Sequence, residues 1–161
     1  MAELELTRSA DDRRRYEVDG VGALRLGGFL SRGATAEAGA AVWSFARRGF
    51  WQRTVEATDA TGDVVGSFQP GKLRRGGALR WGVRDLELRP ASTWRERYAL
   101  VDGDRELAAL DGKGWGKRPV KIAVDDPAAV DPGLLLFATF VVRGLAEDAG
   151  AAASGSAAAV G

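Results

Sequence analysis

The densest run of side chains able to do chemistry is Gly71-Lys72-Leu73-Arg74-Arg75-Gly76-Gly77, with Arg80 just beyond it. Guanidinium groups bind phosphate through paired hydrogen bonds, and an ammonium adds a point charge, so a Gly-rich hairpin of this kind can hold an anionic group. Arg47-Arg48 and Arg13-Arg14-Arg15 extend the basic set if the fold brings them near. Lys72, Arg74, Arg75, Arg80, Arg47 and Arg48 are therefore the anion- or lipid-binding candidates, with an anionic lipid surface or an acidic protein as partner. The simpler alternative is a solvated hairpin tip that keeps a sheet edge soluble.

Other short motifs fail on position. Gly112-Lys113-Gly114-Trp115-Gly116-Lys117 suggests a phosphate loop, but Arg118 stands where Ser or Thr is required, and Gly71-Lys72 is followed by Leu73. Asp102-Gly103-Asp104-Arg105-Glu106 opens like a calcium loop, yet Leu107 and Lys113 occupy the positions that need Gly and Glu. Asp125-Asp126 before Pro127 reads as a turn, and no carboxylate pair is singled out for acid–base work. With no His and no Cys, Ser-His-Asp and Cys-His nucleophiles, His/Cys zinc sites and disulfides are all excluded. Neither a catalytic residue nor a metal ligand nor a cofactor site emerges. An enzyme would have to work with Asp, Glu, Arg, Tyr16 or Tyr98.

The 161 residues suffice for one domain, and 23 Lys+Arg against 22 Asp+Glu lack the basic excess of a nucleic-acid binder. Arg dominates Lys, Ile122 is the sole isoleucine and Asn is absent, the bias of a GC-rich bacterial gene. Met1 to Glu5 has no apolar signal segment, and the longest apolar run, Leu134 to Val142, is too short to span a bilayer. These features predict a cytoplasmic protein without a transmembrane segment, at most peripheral to a membrane; oligomeric state is not legible.

Residues 1–15 read as a flexible arm. From Tyr16 to Asp125, Gly and Asp turns recur every 8 to 12 residues, the spacing of an all-β sandwich or barrel. Trp51, Arg53, Val55 and Ala57 share one strand face; Gln52, Thr54, Glu56 and Thr58 share the other. Asp59-Ala60-Thr61-Gly62 turns this strand into Val64 to Phe68, and Trp94 to Val101 pairs likewise with Glu106 to Leu110. Further strands are predicted at 79–83, 86–89 and 120–124. Trp51 and Trp94 lie 43 residues apart, as do Asp59 and Asp102, while Gly22 to Gly27 echoes Gly77 to Gly82 at an offset of 55. This suggests a pseudo-repeat with an insertion around Ala36 to Arg47, with chance similarity in so biased a composition as the alternative.

Asp131 and Pro132 form a helix start, and Leu134, Leu135, Phe137, Phe140 and Val141 belong to a run that is apolar in every direction of the helical wheel. Such a helix must be enclosed. The fold class is therefore mainly β: a closed antiparallel barrel of about 10–12 strands around a buried hydrophobic C-terminal helix, Pro132 to about Asp148. The domain covers 16–148, and 149–161 is expected to be a disordered Ala/Gly/Ser tail. The five tryptophans could line a cavity in a lipocalin-like carrier of a small apolar ligand, but a helix filling the interior would leave no such space.

The consecutive hairpins, Val55 to Phe68 and Tyr98 to Leu110, with Asp-Pro-Gly-Leu-Leu-Leu-Phe-Ala-Thr-Phe-Val-Val placed last, resemble the tubby C-terminal-like superfamily, which includes LURP-one-related proteins and phospholipid scramblases. The resemblance covers roughly Tyr16 to Asp148. It implies a dozen-stranded barrel threaded by its C-terminal helix, and phosphoinositide binding or lipid-linked roles. No stretch matches that family's headgroup-binding motif, so it assigns no binding residue here. The scramblases' Cys-rich segment and membrane-associated tail have no counterpart. A structural or protein-interaction module without a small-molecule site is the remaining alternative.

Overall fold

In a computed structural model of the chain, residues 2–27, 33–49, 54–71, 76–92, 96–112 and 119–160 are described, with side-chain placement through Gly150. Twelve strands follow one another around a closed barrel: β1 (Ala2–Arg8), β2 (Arg15–Val18), β3 (Gly22–Leu26), β4 (Ala34–Ala38), β5 (Ala41–Arg48), β6 (Thr54–Asp59), β7 (Val64–Pro70), β8 (Gly77–Trp81), β9 (Arg84–Pro90), β10 (Arg97–Asp102), β11 (Arg105–Asp111) and β12 (Val120–Val124). Each pairs antiparallel with its sequence neighbours, and β1 closes the ring against β12 with Leu4 opposite Ile122 and Leu6 opposite Val120. The helix α1 (Pro132–Val160) completes the chain.

Two expectations at the chain ends change. Residues 2–8 are a strand and not an arm: Leu4 and Leu6 alternate with Glu3 and Glu5, and Leu6 is fully buried. The charged residues of this period-two pattern simply face out. The helix runs on past Asp148 to Val160, an extension for which Ala has the highest intrinsic propensity.

α1 lies inside the ring. Every residue from Leu134 to Val142 is buried, Thr139 included, whose hydroxyl donates to the Leu135 carbonyl at 2.7 Å. Its neighbours come from all around: Phe137 meets Phe45 of β5 and Trp81 of β8, Arg143 lies over Tyr16 of β2, and Val142 approaches Gly112 after β11. Twelve strands enclose more space than eight, whose own side chains fill the interior, and a helix about 10–12 Å across occupies the difference. With Leu135 and Phe140 buried there, the central space a carrier would need is taken. The outward positions carry charged side chains such as Glu17, Arg25, Glu37 and Glu87, the reverse of a barrel facing lipid. No described helix is long and apolar enough to cross a membrane.

The pseudo-repeat does not map onto the barrel's symmetry. An offset of 43 carries β6 and β7 onto β10 and β11, four strands on, but an offset of 55 carries β3 onto β8, five strands on. An odd displacement reverses strand direction in an antiparallel ring. No single rotation relates both echoes.

Candidate functional site: the basic rim of the barrel

An up-and-down barrel gathers alternate connections at each end, so the topology sorts the charges that the sequence interleaves. At the end where β1, β3, β5, β7, β9 and β11 finish, the two outermost residues of all twelve strands include eight Arg or Lys and one acid, Asp111. At the opposite end the same positions hold seven Asp or Glu and three Arg. The connections follow the same rule. Those joining strands at the basic end are five to eight residues long and contain eleven Lys or Arg against three acids. Their sequences also hold Phe29, Phe50, Trp51, Trp94 and Trp115. At the other end the hairpin turns have two to four residues, and with the 125–131 segment leading to α1 they contain six Asp and no cation.

The candidate residues fall unevenly on this frame. Lys72, Arg74 and Arg75 lie outside the described residues; they belong to the connection from β7 to β8, whose flanking strands meet at the basic end. Arg47 and Arg48 sit at that same end but part company, because successive strand residues face opposite sides. Arg48 points outward, beside Glu56 at 3.5 Å. Arg47 points inward, where its guanidinium contacts Asp148 of α1 at 3.3 Å, and the side chains are only 20% and 28% exposed. Gly144 makes room for it, since a Cβ there would strike the Arg47 guanidinium. Arg80 does not join the group. Three residues along β8 from Gly77, it is about 10 Å nearer the acidic end and faces Asp85 at 3.8 Å.

Other residues of the rim were not singled out by sequence. Arg15 of β2 bridges Glu17 at 3.1 Å and Glu37 at 2.8 Å, and those carboxylates, Glu17 first, raise its pKa. Arg25 of β3 contacts Asp12 at 3.1 Å. Arg14, exposed beside them, has no ionic partner among the described residues. Arg143 leaves the interior where α1 emerges, with its guanidinium carbon 5.5 Å from the Tyr16 ring centre and a bond to Glu147 at 2.9 Å; its Nε is buried without a partner. The signal for this clustering was present in the order of the chain, since Arg and Lys recur at alternate turns, but it becomes readable only when the turns are assigned to ends.

The acidic end is built differently. Asp131 caps α1 through Oδ1, accepting from the Gly133 and Leu134 amides at 2.8 and 3.3 Å, as its position before Pro132 predicts. The β6–β7 turn is held by Asp59, whose Oδ1 accepts from the Thr61 hydroxyl at 2.6 Å and from the Thr61 and Asp63 amides. The Thr61 hydrogen bond, above all, lowers the pKa of Asp59. Arg84 bridges Asp102 at 2.6 Å. This end is short-looped and internally bonded, and at the basic rim Arg15, Arg25, Arg47, Arg48, Arg89 and Arg97 each pair with a carboxylate. No protein-family model, curated protein or solved structure matches the chain.

Proposed function

We infer that this barrel is a non-enzymatic, tubby-like binding module that docks by its basic end on anionic phospholipid headgroups, as a cytoplasmic protein peripheral to a membrane. The observation that carries the reading is the segregation of charge between the two rims of a chain whose total is nearly neutral. A rigid scaffold that presents its long connections at one end is the usual way to build a binding surface. Each Lys or Arg held near an anionic leaflet contributes about 1 kcal/mol, and aromatic side chains favour the interface.

The test is flotation with vesicles of phosphatidylcholine alone or with phosphatidylserine. The chain is expected to float only with the anionic vesicles, and Lys72→Glu/Arg74→Glu/Arg75→Glu to lose roughly a hundredfold in partitioning, about 1 kcal/mol for each residue. Equal recovery with both vesicle types, or no effect of the triple substitution, would refute the lipid reading. An acidic protein surface would then be the partner that the rim fits.

A further inference from the structure

Among the described residues, the exposed large apolar side chains are three valines, Val42 at 41%, Val64 at 60% and Val83 at 92%. All three stand at the acidic end: Val42 is the second residue of β5, Val64 opens β7, and Val83 lies in the turn from β8 to β9. The strand pairing gathers them in one sector. Val64 is opposite Thr58, which is opposite Ser44, two residues from Val42. Gly82 donates to the Val65 carbonyl at 2.7 Å, which sets Val83 beside Val64. Val83 is also unusual turn chemistry. Two-residue turns favour Gly, Asn, Asp and Ser, and the other two at this end are Gly39-Ala40 and Gly103-Asp104. A β-branched apolar side chain at a solvated tip gains nothing there unless something covers it.

The rim around the valines selects their partner. Its strand ends and connections are acidic, and Asp19 and Asp104, exposed in their turns, have no ionic partner among the described residues. An occupant must then offer cations together with apolar or aromatic surface. The opposite end of the same barrel has that chemistry: its outermost strand residues hold eight Arg or Lys and one acid, and the sequences of its connections contain five aromatic residues. We propose that the acidic end docks on the basic end of a second copy, with Val42, Val64 and Val83 as its apolar contacts and a salt-dependent attraction between the rims. Because the two surfaces lie at opposite ends of one barrel, the contact is head-to-tail, and its repetition builds an open stack instead of a closed dimer. Stacking does not require lipid docking: a copy free in solution and a copy held at a membrane by its basic end present the same acidic end.

The experiment is sedimentation velocity on the full chain over a range of concentrations, at about 20 mM and about 500 mM salt, where the screening length falls from about 20 Å to about 4 Å. At low salt the average mass is expected to climb with concentration past that of a dimer, and at high salt to return to the monomer. Val64→Asp/Val83→Asp, at exposed positions, should weaken association at least about tenfold. Arg14→Glu/Lys121→Glu, also exposed but at the basic end, should weaken it similarly. The decisive sample mixes the two variants where wild type associates. Each retains the end that the other lacks, so the mixture should stop at a one-to-one dimer. A wild-type chain that stays monomeric at low salt, one that halts at a dimer unaffected by Arg14→Glu/Lys121→Glu, or a mixture that remains monomeric would overturn the proposal. Val64→Asp/Val83→Asp should float on anionic vesicles as wild type does, so a failure of stacking and a failure of lipid docking are seen separately.

Discussion

The helix is held by opposite means at the two ends of the barrel. At the acidic end it enters under an aromatic clamp: Trp43 and Trp81, with ring centres 6.0 Å apart, close over Gly133, where an added Cβ would lie 2.7 and 2.6 Å from them. At the basic end, about 16 Å further along its axis, it leaves through a collar of charge made by Arg47 with Asp148 and Arg143 with Glu147. Aromatic rings packed on backbone have one good arrangement. Ion pairs near solvent have several of similar energy and give way to competing ions. The contrast divides the helix's setting into an end where aromatic rings clamp it and an end where ion pairs hold it, and the second end carries the excess cations.

Substitutions distinguish the two ends, and the largest effect is expected in the helix segment between them. Phe137, buried between Phe45 and Trp81, is expected to cost about 3–5 kcal/mol as Phe137→Ala, measured by urea unfolding, because the enclosed helix cannot collapse into the void. A smaller loss would mean that the interior repacks.

The two helical glycines should then behave unlike each other. Gly133→Ala drives a methyl group into two indole rings and should cost about 1–3 kcal/mol. Gly144→Ala meets only the movable end of Arg47, and the better helix propensity of Ala, up to about 1 kcal/mol, offsets the disturbed ion pair. Its stability should stay within about 1 kcal/mol of wild type. Equal losses at the two positions would erase the distinction between clamp and collar.

The smallest expected effect concerns acid. The folded-state pKa of Asp59 lies below its ordinary value of 3.8, so the stability this turn contributes is present above about pH 4 and is lost as pH falls through the lowered value. Thr61→Val removes the hydroxyl that contributes most to the shift and should flatten that acid limb, with unfolding followed between about pH 2 and 6. An unchanged slope would show that the turn amides alone hold the carboxylate.

Much of this architecture was legible from residue order. The all-round apolar run after Asp131-Pro132 required enclosure, and the Val55/Ala57 alternation and the Asp59 turn marked real hairpins. Less legible was β1, because its leucines are spaced by glutamates and a short alternating strand looks like a charged arm until β12 lies beside it. The Arg47-Arg48 pair also misleads as a unit: strand alternation sends one guanidinium to the helix and the other to solvent. Arg80 seemed to extend the 71–77 hairpin, yet a strand's rise carries it toward the other rim.

Residue order alone excludes His- and Cys-based catalysis, requires that a helix apolar on every side be surrounded, and lays out successive strands as hairpins. These are local properties, set by side-chain chemistry and by the periods of 2 and 3.6 residues. Where charge accumulates depends instead on how the strands close into a ring. Twenty-three cations and twenty-two anions cancel in composition, and closing an up-and-down barrel sends alternate connections to opposite ends, turning an even mixture into one acidic and one basic rim.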